Sequence, residues 1–177
     1  EWLELLVLQD SLDLRNWDIR DFSSSGSGQQ PLVFSNNSFW SNIKKGTVII
    51  IARPENSFSE DFDPSDFLLI IKSSNALYFS GNVFLIAGSS EAVQIRNTSQ
   101  THIFGVSWGS ANLNSLPQPK VHLTGTSSSN TSVFFKEDST PEIIVAANWT
   151  MNGTPTMGFG NTPINVAWIV SLRAKPE

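Results

Sequence analysis

One short string in this sequence has the letters of a hydrolase nucleophile. Gly105-Val106-Ser107-Trp108-Gly109 fits the pattern G-x-S-x-G, in which the central serine attacks an acyl carbonyl. Such a nucleophile needs a sharp turn from a strand into a helix, whereas residues 110–119 have the composition of a loop and contain two prolines. A hydrolase would also require an exposed Ser107 near His102. We therefore predict no catalytic residue and interpret the string as a chance match.

Four carboxylates lie close together in residues 59–66, a segment that we call the acidic loop. They belong to Glu60, Asp61, Asp63 and Asp66. Carboxylates clustered in a loop are candidate ligands for Ca²⁺, which takes six to eight oxygen ligands. The spacing and the glycine of an EF-hand are absent, and their absence favours a solvated acidic loop. We predict no other cofactor or metal.

The two histidines and the missing cysteines limit the remaining metal and thiol chemistry. His102 and His122 have no histidine partner at the short spacing of a zinc motif. Because the chain has no cysteine, disulfides, Cys-ligated zinc and thiol catalysis are excluded.

Tryptophan is the residue type here that is best suited to bind a glycan, because an exposed indole stacks on a sugar ring. Trp40 and Trp149 lie in or beside predicted loops and are the candidate ligand-binding residues. A carbohydrate site would place both in one shallow cleft. Trp2, Trp17, Trp108 and Trp168 lie in strand-like patterns and are predicted to fill the core.

Charge and hydropathy exclude two further classes of partner. The net charge is −5, and the eleven Lys and Arg residues are scattered, so a nucleic-acid surface is not expected. No apolar run approaches the roughly 20 residues that span a bilayer, so we predict no transmembrane segment. Only 15% of the residues are charged, and Ser, Thr, Asn and Gly fill the polar positions. A surface of this composition is common on secreted β proteins.

The elements that must position these residues are short strands. Residues 47–51 (TVIII) form a β-branched run typical of a strand buried on both faces. Turn signals recur about every 8–12 residues, and no long amphipathic helix is indicated, which predicts a single all-β sandwich or barrel. The predicted strands cover residues 1–9, 17–22, 32–34, 47–51, 83–86, 92–95, 101–108, 121–123, 132–135, 142–149 and 166–172. Residues 67–71 and 76–79 are short apolar runs, and a helix is the alternative for the first of them. Residues 83–95 and 121–135 are each interpreted as a hairpin.

Several motifs in order resemble those of the lamin-tail domain. Trp2-Leu3-Glu4-Leu5 followed by residues 12–19 (LDLRNWDI) resembles the opening W-[IL]-E-L and [VL]-D-L-x-x-W-x-[IL] segments of that family. Residues 43–50 (IKKGTVII) are similar to its middle element, and residues 88–109 to its later hairpin and V-x-[WY] strand. Residues 154–161 (TPTMGFGN) resemble the T-P-G-x-x-N turn of bacterial members.

The resemblance implies an immunoglobulin-like β-sandwich of about 8–10 short strands. Residues 1–177 would form one domain, with an insertion around residues 110–147. The resemblance further implies a non-catalytic binding or structural module of an exported or cell-surface bacterial protein, acting in protein–protein interaction or adhesion. The alternatives are a carbohydrate-binding module that uses the loop tryptophans and, less favoured, a hydrolase. The expected partner is therefore a protein or a surface glycan.

Overall fold

The computed structural model describes residues 1–128, 130–136 and 143–158 of the chain. These residues form eleven strands and short 3₁₀ helices, so the prediction of an all-β sandwich is confirmed. The strands are β1 Trp2–Leu6, β2 Asp18–Asp21, β3 Leu32–Phe34, β4 Val48–Ala52, β5 Leu68–Lys72, β6 Phe79–Gly81, β7 Glu91–Arg96, β8 His102–Trp108, β9 Lys120–Leu123, β10 Ser132–Phe135 and β11 Trp149–Gly153. The 3₁₀ helices cover Ser38–Ser41, Pro64–Asp66, Ala111–Ser115 and Ala146–Asn148. The strand predicted for residues 166–172 and the core position of Trp168 lie outside the described residues.

The strands form three sheets. One has the order β1-β4-β5, a second has the order β6-β3-β2-β7-β8-β9, and β10 pairs with β11. Most pairs are antiparallel, but β4 with β5 and β8 with β9 run parallel. Since parallel neighbours need a long connection, the chain between β4 and β5 has room for the acidic loop.

The main core lies between the three-stranded and the six-stranded sheets. Apolar side chains from both sheets meet there, and its fully buried members include Ile19, Phe34, Ile49, Ile51 and Ile71. The β-branched run behaves as predicted, because residues 49–52 of β4 are all buried. Ile50 points to the opposite side of the sheet, where Gly158 lies against it.

A smaller hydrophobic cluster covers the outer side of the six-stranded sheet. The connection from β8 to β9 crosses this side, and its Leu113 and Leu116 pack on Ala92 of β7. Farther along β7, the Arg96 guanidinium donates two hydrogen bonds to the Asp18 carboxylate, at 2.8 and 2.7 Å. This ion pair is almost fully buried and joins β2 to β7.

Two predicted hairpins are wrong. Residues 83–88 form no strand, and β7 pairs with β2 and β8. β9 lies beside β8, while β10 pairs with β11, so residues 121–135 do not form a hairpin either. The strand predicted for residues 142–149 begins only at Trp149. The predicted insertion, residues 110–147, thus supplies a strand to each of two sheets.

Candidate functional site

Ser107 is the penultimate residue of β8 and is fully buried. Its hydroxyl is 2.9 Å from Nδ1 of His122, its register partner on β9. Burial, and to a lesser degree the charge of Lys120, lowers the pKa of His122. In the described part of the chain no carboxylate hydrogen-bonds this imidazole, so the pair is not extended into a triad. The geometry is that of a cross-strand hydrogen bond in a sheet, not of a nucleophile on a sharp turn.

His102 does not approach Ser107 as a hydrolase would require. Its Nε2 donates to the carbonyl of Pro119 at 2.9 Å, which leaves Nδ1 to accept from the Gln94 amide at 2.9 Å. Nε2 therefore holds the β8–β9 connection onto the sheet, and Nδ1 joins β8 to β7. The two histidines serve separate contacts.

The acidic loop is ordered by its own carboxylates. Asp61 pairs with Ile70 in an isolated β-bridge, and its Oδ1 accepts from the amide of Asp63. Asp63 in turn caps the 3₁₀ helix Pro64–Asp66 through the amide of Ser65. One oxygen of each carboxylate is thus occupied with an amide of the chain.

The structure does not bring the four Ca²⁺ candidates together. Glu60 accepts hydrogen bonds from the Lys72 amide and the Asn75 side chain, and Asp66 accepts from the Leu68 amide. Asp61 and Asp63 bind neighbouring amides of the loop. Among residues 1–128, 130–136 and 143–158, no group of three His, Cys, Asp or Glu is placed to hold a metal ion.

Trp40 was predicted as an exposed ligand-binding residue, and this prediction is wrong. The side chain of Asn37 caps the 3₁₀ helix Ser38–Ser41, and the turn directs Trp40 into the core, where it is 0% exposed. Its indole donates to the carbonyl of Tyr78 at 2.9 Å, and Phe34 meets it edge-on at 4.9 Å between ring centroids. Trp40 is therefore buried although it lies in a segment that connects two strands.

Trp149 begins β11 and is half-buried. Phe104 stacks near it at 6.4 Å and Phe135 lies at 5.6 Å, while the indole donates to the carbonyl of Ile143. It lines a shallow groove of about 300 Å³ that we call the Trp149 groove. The other lining residues are Leu123, Thr124, Ala146, Ala147 and Met151. Trp40 and Trp149 belong to different clusters, so the predicted shared cleft is absent.

A row of aromatic rings runs from the core to the surface and ends in the acidic loop. Phe62 stacks on Tyr78, with ring centroids 4.9 Å apart and an interplanar angle of 19°. Tyr78 meets Phe39 at 4.8 Å and the buried Trp40 at 6.1 Å. Phe62 itself is 38% exposed, and Leu77, beside Tyr78, is 59% exposed. The outermost ring is therefore both solvent-accessible and firmly supported.

We call Phe62, Leu77, Tyr78 and the four carboxylates of the acidic loop the aromatic–acidic surface. Sequence reasoning treated this segment only as a metal candidate and missed Phe62. The available signal was a large apolar residue inside an acidic segment, where no strand period accounts for it. This surface therefore has both exposed apolar area and negative charge.

A buried carboxylate was also missed. Glu91, at the start of β7, is 2% exposed and accepts hydrogen bonds from the amides of Ala92, Ala87 and Phe22 at 2.8, 2.9 and 3.2 Å. Burial raises the pKa of Glu91, and these amide hydrogen bonds offset part of the rise. The carboxylate serves the segment of residues 84–88, whose Leu85 amide is similarly held by Asp21.

No helix within the described ranges is long and apolar enough to cross a bilayer.

Comparison with known proteins adds no relative. The chain matches no family model, no curated protein and no solved structure. What can be inferred about its function therefore comes from its own residues.

Proposed function

We propose that this domain is a non-catalytic binding module of an exported or cell-surface bacterial protein, and that it mediates protein–protein interaction or adhesion. The resemblance to the lamin-tail domain and the uncharged polar composition support this assignment. The observation that carries it is the aromatic–acidic surface, in which Phe62 is presented to solvent on a supported loop.

The energetics of this surface suit an interaction with a protein. Fully burying a Phe or Leu side chain is worth about 1.5–3 kcal/mol. Phe62 and Leu77 retain 38% and 59% of their exposure, so covering both would contribute roughly 1.5–3 kcal/mol, or about 10- to 100-fold in affinity. Because Phe62 is already stacked on Tyr78, little side-chain freedom remains to be lost on binding.

A peptide-display selection tests the proposal. Random peptides are selected on the wild-type domain and counter-selected on the Phe62→Ser/Leu77→Ser variant, and the surviving peptides are titrated against both proteins. We expect peptides whose affinity falls at least tenfold on the double variant. Leu85→Ser is the matched control, because Leu85 is 53% exposed outside this surface. Peptides that bind all three proteins equally would refute the proposal.

The Trp149 groove supports a second candidate, carbohydrate binding. Trp149 and Thr124 both line this groove, which offers a sugar an aromatic ring and a hydroxyl. A glycan array probed with the wild-type domain and with Trp149→Ala tests it. Binding that disappears in the variant would favour this candidate, whereas an array without Trp149-dependent signal would remove it.

A further inference from the structure

We propose that the partner segment recognised by the aromatic–acidic surface is basic, with Lys or Arg flanking an apolar side chain. This inference rests on the proposed function and specifies the chemistry of its partner. It follows from the position of the acidic residues beside Phe62 in the loop and from the absence of ion pairs at Glu60, Asp61 and Asp66 within the described residues.

The negatively charged residues lie on both sides of Phe62 along the sequence. Glu60 and Asp61 precede Phe62, and Asp63 and Asp66 follow it. Each carboxylate has one oxygen engaged with an amide donor of the chain. Such contacts fix the charges in space, so a binding cation does not have to order flexible acidic side chains.

Three of these carboxylates form no ion pair with the residues that the structure describes. In the described residues, Glu60, Asp61 and Asp66 take part in no ion pair; the pairs present join Arg15, Arg53 and Arg96 to other carboxylates. Lys44 is directed to the ring of Phe67, with Nζ 5.8 Å from its centroid. A Lys or Arg supplied by a partner would therefore meet unpaired carboxylates.

The exposed ring adds a second attraction for the same group. A Lys or Arg placed over an aromatic face is attracted by its quadrupole, and Phe62 is the outer ring of its stack with Tyr78. Exposed ion pairs contribute about two- to fivefold each to an equilibrium constant. Several such contacts beside an apolar anchor would make a basic segment the preferred partner over an acidic one.

Three labelled peptides of equal length test the inference. Each carries one central tryptophan, flanked by lysines in the first, serines in the second and glutamates in the third. We expect fluorescence anisotropy to rank their affinities in that order. Raising the salt from 50 to 300 mM should weaken the lysine peptide and leave the serine peptide nearly unchanged.

Charge-removing variants assign the effect to this surface. Asp61→Asn/Asp66→Asn removes two charges but keeps the side-chain oxygens that accept from the loop amides. We expect it to weaken the lysine peptide about fivefold or more. Asp10→Asn/Glu55→Gln removes the same charge elsewhere and should have a much smaller effect.

The outcomes separate this inference from the proposed function. If Phe62→Ser abolishes binding of the lysine and serine peptides while the charge variants bind as the wild type does, the surface binds proteins but the basic preference is wrong. If Phe62→Ser leaves all peptide binding intact, both proposals fail. Circular dichroism of each variant, unchanged from wild type, excludes unfolding as the cause.

Discussion

The buried ion pair between Asp18 and Arg96 gives a prediction that can be worked from the structure. The Asp18 side chain is 2% exposed and that of Arg96 is 11% exposed, and two hydrogen bonds join them. Arg96→Met leaves a buried carboxylate without its partner, and Asp18→Leu leaves a buried guanidinium. Each change should lower the free energy of unfolding by about 3–5 kcal/mol.

The interaction itself sets the expected coupling. Two unit charges about 4 Å apart interact by about 4 kcal/mol at an effective dielectric constant of 20. The double variant Asp18→Leu/Arg96→Met removes both charges together, so it should recover most of the loss of either single variant. Its coupling energy, which is the sum of the two single losses less the loss of the double variant, should therefore be at least about as large as that Coulomb estimate.

Urea unfolding at pH 7, followed by tryptophan fluorescence, measures these differences. A loss of 3–5 kcal/mol corresponds to a fall in the melting temperature of roughly 6–20 °C for a chain of this size. Arg15→Met is the control, because the Arg15–Asp13 pair is exposed and its loss should leave the urea midpoint unchanged. Single variants that lose less than about 1 kcal/mol, or a double variant that loses the sum of both, would refute the reasoning.

Three further predictions concern Trp40, Glu91 and His122. Trp40→Phe should lower the free energy of unfolding by roughly 1–3 kcal/mol in urea, because the Tyr78 carbonyl loses its indole donor; a wild-type midpoint would contradict this. Glu91→Ala should cost about 2–4 kcal/mol, because the carboxylate accepts from three amides. Since burial raises the pKa of Glu91, the free energy of unfolding of the wild type should rise relative to that of this variant as the pH falls from 7 through that pKa to below 4.5. A difference between the two free energies that becomes smaller on acidification would contradict this. The pKa of His122 is lowered, so its contribution to the free energy of unfolding is present above pH 6.5 and is lost as the pH falls through the folded-state pKa. His122→Gln should therefore make the urea midpoint less dependent on pH between pH 7 and 5. A pH dependence equal to that of the wild type would count against this prediction.

The sequence predicted strands best where composition and burial agree. The run in residues 47–51 is β-branched throughout, and β4 is indeed buried on both faces. Residues 101–108 alternate and become β8. Strand pairing was harder to predict, because a segment as short as residues 121–123 does not indicate which neighbouring strand it joins.

The candidate site was predictable in its residue types but not in its geometry. Residues 83–86 are apolar enough for a strand, yet their neighbourhood supplies carboxylates as partners for the backbone: Asp21 accepts from the Leu85 amide and Glu1 from the Ile86 amide. Trp40 was assigned to the surface because its segment connects strands. Only tertiary packing, which places Tyr78 over it, reveals Trp40 as the inner support of the exposed Phe62.

The strand order of the six-stranded sheet has a consequence for how the chain folds during synthesis. β2 lies in the interior of that sheet, but its neighbour β7 ends at Arg96, about 75 residues later in the sequence. Until β7 leaves the ribosome, one edge of β2 has no strand to pair with, and Asp18 has no guanidinium. Because this long-range pairing must form before the sheet is complete, the first half of the chain should fold slowly and should not complete its sheet until β7 has been synthesised.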